Sequence, residues 1–147
     1  MSLFKTMAIT ASSLTAQRVR MDVISNNVAN METTKTSEGG PYQRKLVKFR
    51  PIVADDFQAT LAAARGKQLP TEGVEVVQVG IDQTPGRKVF DPNHLDADAD
   101  GFVVMPNVDV LVEIADMMSA SRSYEAGVTV FNSAKSMFIS SLEIGRG

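Results

Sequence analysis

Apolar residues recur every seven positions at both ends of the chain. Near the N-terminus Met7, Leu14, Met21 and Val28 form one row, and Leu3, Thr10, Gln17 and Ile24 form the row on the alternating three-four step. This is the spacing of a helical seam, apolar throughout on one row and interrupted twice on the other. It predicts a helix that starts with Ser2 as N-cap and stops at Asn30, a residue that tolerates the left-handed conformation closing many helices. Such a helix would be roughly 40 Å long. Near the C-terminus Val110, Met117, Tyr124, Phe131 and Phe138 form a complete apolar row, with Ile114, Ser121, Val128, Lys135 and Leu142 as its partner row. Asn107 or Asp109, just after Pro106, can cap the start, and Gly145 ends a span of roughly 35 residues, or about 50 Å. Gly127 interrupts that helix at a cost of about 1 kcal/mol relative to Ala. Close approach of another helix is one reason to keep it.

The centre has a different pattern. Val74 to Ile81 is the best strand in the chain, rich in Val and bounded by Gly73 and the Thr84-Pro85-Gly86 turn. Tyr42 to Phe49, Arg87 to Phe90 and Phe102 to Met105 are shorter strand candidates. Together they make one small sheet, too small for independent stability. Thr33 to Gly40 and Gly66 to Gly73 read as loops, and Asp55 to Arg65 as a short helix or an excursion. The fold class expected is mainly α with a small β part. Long terminal helices over 1–31 and 108–147 pair as a coiled-coil-like bundle, and a β-rich lobe fills 32–107.

Composition sharpens this division. All six Pro fall within 32–107, and Pro excludes long helices. The first 31 residues carry Lys5, Arg18 and Arg20 against Asp22, a net of +2. Residues 108–147 carry three basic and five acidic residues, a net of −2. A compact domain of this length has a radius of gyration of about 15 Å, so helices of 40–50 Å would project from it. Each also carries apolar residues off its seam: Phe4, Ile9, Val19 and Val23 on the first, Leu111, Met118, Val130, Met137 and Ile139 on the last. A stripe that wide suits a helix contacted on several sides. The seams are therefore expected to be shared with other copies of the chain, the alternative being a helical hairpin closed within one chain.

Chemistry is sparse. The chain has no Cys and one His, which excludes disulfides, thiol nucleophiles and multi-His metal sites. A formal charge of −2 argues against nucleic-acid binding, and no apolar run is long enough to insert in a membrane. The N-terminal stretch lacks the apolar core of a cleaved secretory signal. Asp96, Asp98, Asp100 and Gly101 match positions 1, 3, 5 and 6 of an EF-hand loop, but Val104 and Asn107 stand at positions 9 and 12, where Glu is needed at 12. A calcium-dependent binding module built on these aspartates is the alternative reading; an acidic turn between two strands is the simpler one. His94, among Pro and Asn, reads as a turn-bonded side chain. No catalytic residue, cofactor site or metal site is assigned.

Three stretches together resemble one family. Ile24-Ser25-Asn26-Asn27-Val28-Ala29-Asn30, followed by Thr33 and Thr34, resembles the N-terminal motif of flagellar axial proteins. Ser119 to Ala126, with Val130, Asn132, Lys135, Met137 and Leu142 to Gly145, is similar to their C-terminal helix. Gly40-Pro41-Tyr42, Val89 to His94, Asp96 to Gly101 and Met105 to Val108 resemble the FlgC-type proximal rod proteins of the flagellar basal body. The chain departs at Leu95, where Pro is frequent, and at Gly127, where Asn is frequent. The resemblance implies a structural subunit, exported through the flagellar type III apparatus without a cleaved signal. In the periplasm it would assemble with copies of itself, with other rod proteins and with ring or rod-base proteins into a shaft that transmits torque and walls the export channel. The assembly interface implied comprises Leu3, Met7, Leu14, Met21, Ile24, Val28, Asn26, Asn27 and Asn30, with Val110, Ile114, Met117, Tyr124, Val128, Phe131, Phe138 and Leu142.

Overall fold

A computed structural model describes residues 3–53, 61, 64–66 and 71–145. The elements run α1 (Leu3–Ala29), β1 (Lys45–Val53), β2 (Thr71–Ile81), β3 (Lys88–Phe90), β4 (Phe102–Val104) and α2 (Val110–Ile144). The expected helix over Asp55 to Arg65 and the Ser2 cap fall largely or wholly outside the described residues.

The two long helices form as their periods predict. Asp109, not Asn107, caps α2: its carboxylate accepts from the backbone N–H groups of Leu111 and Val112. Asn107 is used elsewhere, as described below. Gly145 closes α2 with an ordinary right-handed φ of −77°, so its conformational freedom is not what ends the helix. Asn30 follows the last residue of α1 but is not left-handed, since among the described residues none other than Gly has positive φ. Its side-chain amide instead donates to the Asn26 carbonyl at 2.8 Å, taking up one of the carbonyls that a helix end leaves free.

The helices lie antiparallel and side by side. Phe4 stacks edge-on against Phe138 with ring centroids 5.3 Å apart, and Arg20 bonds Asp116 at 2.8 Å. Asn27 meets Glu113 at 2.9 Å, so the start of α2 lies beside the end of α1. On its other side α1 carries the β1–β2 hairpin, with Val74 N–H donating to Ser12 Oγ at 3.1 Å. The layers are thus α2, α1 and hairpin. This explains why α1 is at least half-buried around most of its circumference while α2, packed chiefly on α1, is exposed along its far side.

The strands do not make the single sheet expected. Among the described residues β1 pairs only with β2 and β3 only with β4, both antiparallel, in two separate two-stranded sheets. Asp82 to Thr84 separates them physically: its carbonyls at Asp82 and Thr84 accept from the Asn107 side chain, so the chain bends away between β2 and β3 rather than continuing the ladder. β1 starts later and ends later than its apolar pattern suggests, at Lys45 and Val53, because β2 begins at Thr71 and gives it partners beyond Phe49.

Candidate assembly interface

The structure sorts the seam residues into those used within the chain and those left outside. On α1, Ile24 is buried, and Leu3, Met7, Leu14, Met21 and Val28 are half-buried. On α2, Val110, Met117, Tyr124, Phe131 and Phe138 are half-buried. The complete apolar row of α2 is therefore partly covered within its own chain. The second row facing α1 is not the one that the seven-residue pattern suggests. Ile114, Val128 and Leu142 are exposed, at 48%, 36% and 54%. The inward positions are Glu113, Ala120, Gly127 and Ala134, one residue earlier in the heptad; Ala120 and Ala134 are fully covered.

Size explains the choice. Small residues on the inner row let α1 approach α2 closely, where the larger Ile114 and Val128 would hold it off. Gly127 is the tightest point: a Cβ there would sit 2.9 Å from Leu14 Cδ2. The close approach suggested by its mid-helix position is what the structure contains. The signal in the sequence was the row Glu113, Ala120, Gly127 and Ala134 itself, which an apolar count passes over because three members are small and one is charged.

That charged member belongs to a buried polar node where α1, β1 and α2 meet. Glu113 is fully buried; its Oε1 accepts from Arg44 Nε at 2.6 Å and lies 2.6 Å from Arg44 Nη2 in the same ion pair. Its Oε2 accepts from Asn27 Nδ2 at 2.9 Å. Asn27, 1% exposed, uses its whole amide: Nδ2 also donates to the Lys45 carbonyl, while Oδ1 accepts from Tyr42 Oη and Lys45 N–H, each at 2.9 Å. Asn107 Oδ1 extends the node by accepting from Arg44 N–H at 2.7 Å. Every buried polar group named here has its partner, which is the condition under which such groups can be tolerated inside. Burial raises the Tyr42 phenol above its ordinary value of 10.0, and the Glu113 charge raises it further. The node fixes the lobe on the hairpin at the base of both helices. Of the three asparagines singled out in the N-terminal motif, Asn27 is central to it, Asn30 closes α1, and Asn26 is exposed.

Apolar side chains remain uncovered on both flanks of the inward rows of α2. Leu111, Ile114 and Met118 near its start and Val130, Met137 and Ile144 toward its end are all 48% exposed or more. A shallow apolar groove between Val28 and Ala29 of α1 and Ile114, Met117 and Met118 of α2 continues this surface onto the hairpin's edge. No helix is long and apolar enough to cross a membrane among the described residues. Polar residues on the same helix, such as Ser123, Thr129, Ser133 and Ser141, turn their hydroxyls onto the carbonyl four residues back.

The acidic loop is a turn held by its own backbone. Asp98 Oδ1 accepts from the N–H groups of Asp100 and Phe102, and Asp96 Oδ2 accepts from the Thr34 hydroxyl at 2.7 Å. Gly101 sits at φ +79°, a left-handed position that closes the turn into β4. His94 Nδ1 accepts from Asp96 N–H, so it is bonded within the turn. Among the described residues no three carboxylates or imidazoles converge as a metal site.

Similarity to known proteins agrees with this architecture at both ends and over the full length. Residues 7–35 match the family described as flagella basal body rod protein, and residues 99–144 match the flagellar basal body rod FlgEFG protein C-terminal family. Flagellar basal-body rod protein FlgC of Borreliella burgdorferi is 42% identical, with all of both chains covered. FlgC of Bacillus subtilis is 42% identical over 99% of this chain and 100% of its own. The chain belongs to the FlgC family of flagellar basal-body rod proteins. The Escherichia coli O157:H7 member is 40% identical over 99% of this chain. The two rod-family matches fall on α1 with the following loop, and on β4 with α2. The family signature therefore contains the hairpin and both helical partners of the polar node, Asn27 and Glu113.

Proposed function

We propose that the uncovered faces of the terminal helices are the surfaces through which this chain assembles. As a FlgC-family member it is a structural subunit of the flagellar basal-body rod and not an enzyme. Its role follows from one observation: α2 half-buries its best apolar row within the chain and still leaves large apolar side chains exposed on both flanks of that row. Covering ten half-exposed Leu, Ile, Val and Met side chains is worth roughly 10 kcal/mol gross at about 25 cal/mol per Å2, before ordering costs. Contacts of that size with copies of itself and with other rod proteins build a cylinder crossing the periplasm, which transmits torque and walls the export channel. The chain reaches that site through the flagellar type III apparatus without a cleaved signal, and its lobe meets rod-base or ring proteins. Residues 1–31 and 108–147 serve as the axial part and 32–107 as the lobe.

Nothing in the geometry favours the calcium reading: among the described residues no three carboxylates or imidazoles converge as a metal site. The test is genetic and biochemical. Deleting the gene in its own host removes motility and the rod, and the wild-type chain restores both and is recovered in purified basal bodies. Val130→Asp, on the exposed face, fails to be incorporated although the purified protein keeps its helical content. Incorporation of that variant at the wild-type level would refute the assignment of this face.

A further inference from the structure

We propose that Met137 and Ile144, toward the end of α2, seat against Leu111, Ile114 and Met118, near its start, in a second copy of this chain displaced by about 40 Å along the helix axis. The inference rests on the reading of the chain as a rod subunit and gives one of its contacts a partner and a register. With about 3.6 residues per turn the two groups fall on opposite flanks of the row that faces α1. All five side chains are 48% exposed or more. Val28 and Ala29 of α1 complete the groove beside Ile114 and Met118. At the other end of the hairpin, Phe4 packs on Phe138 close to the described start of α1 at Leu3, so the last six residues of α2 run past it. Ile144, 82% exposed, stands on that projecting end, where it can meet a neighbour's groove. It cannot meet its own, because Met118 and Ile144 lie about 39 Å apart on one continuous helix.

Polarity selects both the occupant and the register. At the height of Ile114 and Met118, the opposite flank of α2 carries Asp116, Ser119 and Ser123 with one apolar side chain, Val112. Two copies side by side in register would set those polar groups on the groove. Two grooves face to face would cover each other and leave both projecting ends in water. A 26-residue shift avoids both: Met137 comes opposite Leu111, and Ile144 opposite Met118. Each of the two groups spans one heptad, about 10 Å, so both contacts form together. A 19-residue shift would seat Val130 and Met137 instead, but it would lay Ile144 on the exposed Glu125. The groove is lined by no charged residue. From Phe138 to Ile144 the one charge is Glu143, about 100° around the helix from Ile144, so aliphatic surface meets aliphatic surface. The contact joins different surfaces of identical chains and keeps every α2 pointing the same way. It therefore propagates, as a helical assembly requires. A joint of so few side chains is far smaller than the roughly 20–30 residues per partner of a stable interface, so it holds chains only together with the other contacts of the assembly.

Met118→Glu puts a carboxylate in the groove and Ile144→Lys an ammonium on the projecting end, both at exposed positions. Each variant replaces the native chain in its own host, and its amount in purified basal bodies is measured. Each single variant is expected to fall on the order of tenfold or more, because an unpaired charge is pressed onto apolar surface, while the purified protein keeps its helical content. The double variant Met118→Glu/Ile144→Lys is expected to regain incorporation. Its two positions are about 39 Å apart within one chain, so the rescue reports contact between copies. The chain lacks Cys, so single Cys variants co-expressed in pairs read the register through a short bis-maleimide in basal bodies. Leu111→Cys with Met137→Cys is expected to give a mixed dimer, and Leu111→Cys with Val130→Cys none. Single charge variants incorporated at the wild-type level, a double variant as depleted as its parents, no dimer from the Met137 pairing, a dimer from the Val130 pairing, or a cross-link only to a different basal-body protein overturns the proposal. A wild-type chain absent from the basal body overturns the rod reading itself, which separates the two failures.

Discussion

Replacing Glu113 with Ala removes the carboxylate on which the polar node is built. Arg44 then loses both of its 2.6 Å contacts, and Asn27 Nδ2 keeps only the Lys45 carbonyl. Removing one member of a buried ion pair costs about 3–5 kcal/mol when the other is left without a partner. Arg44 is 21% exposed, and Asp116 and Asp82 lie at 3.6 and 4.0 Å, so water and these two acids recover part of the loss. The expected destabilisation is therefore about 2–4 kcal/mol, a large share of the roughly 5–15 kcal/mol of a typical domain. Equilibrium urea unfolding followed by far-ultraviolet circular dichroism measures it. The cycle is completed with Arg44→Met and with Glu113→Leu/Arg44→Met, in which an apolar pair replaces the ionic one. The double variant is expected to be more stable than Glu113→Ala alone, because no orphaned charge remains. A cost below about 1 kcal/mol for Glu113→Ala, with a coupling energy near zero, would refute the claim that the node holds the lobe to the hairpin.

Further outcomes follow from the same geometry. The Tyr42 phenol has its value raised by burial and by Glu113, so its neutral form is the one the fold holds. The stability it contributes is full below about pH 10 and is lost as pH rises through the raised value; Tyr42→Phe should flatten that alkaline limb in thermal melts at successive pH values. Gly127→Ile should destabilise the hairpin by about 1–3 kcal/mol through overpacking on Leu14, whereas Gly127→Ala should lie near neutral, the flexible Leu14 tip yielding against a gain in helix propensity. Asp109→Ala should cost about 1 kcal/mol in denaturant unfolding by freeing the first N–H groups of α2. Gly86→Ala places a Cβ on the Met105 carbonyl oxygen, and should abolish the β3–β4 amide protection seen by hydrogen exchange while leaving the helices protected.

How much of this was legible before the structure depends on whether the determinant is local. The seven-residue rows, the Asp109 cap after Pro106 and the Val-rich β2 are local signals, and all three produced the elements they indicate. The inner row of α2 was not legible from apolarity. It is chosen by how closely two helices can approach, and Gly127 and Ala134 contribute to that by lacking side chain rather than by having it. Glu113 was hidden for a related reason. A carboxylate in a heptad position looks like a solvent-facing residue until Arg44 and Asn27, far away in sequence, converge on it. The division into two sheets depends on Asn107, whose amide was available as a helix cap and is used to hold the Asp82–Thr84 bend. The resemblance to axial proteins marked Asn26, Asn27 and Asn30 as a group; only the fold distinguishes the buried amide of Asn27 from its exposed neighbour.

The most direct test of the assembly reading compares the outer face of α2 in the free subunit and in the rod. Single cysteines replacing Val130 and Met137, 49% and 56% exposed, are reacted with maleimide in the purified monomer and in isolated basal bodies. Rapid, complete labelling of the monomer and strong protection in the basal body are expected at both positions, with an exposed lobe position such as Lys48 serving to report its own environment. Equal labelling of Val130→Cys and Met137→Cys in the two states would contradict the account, because the face proposed to build the cylinder would then remain in solvent after assembly.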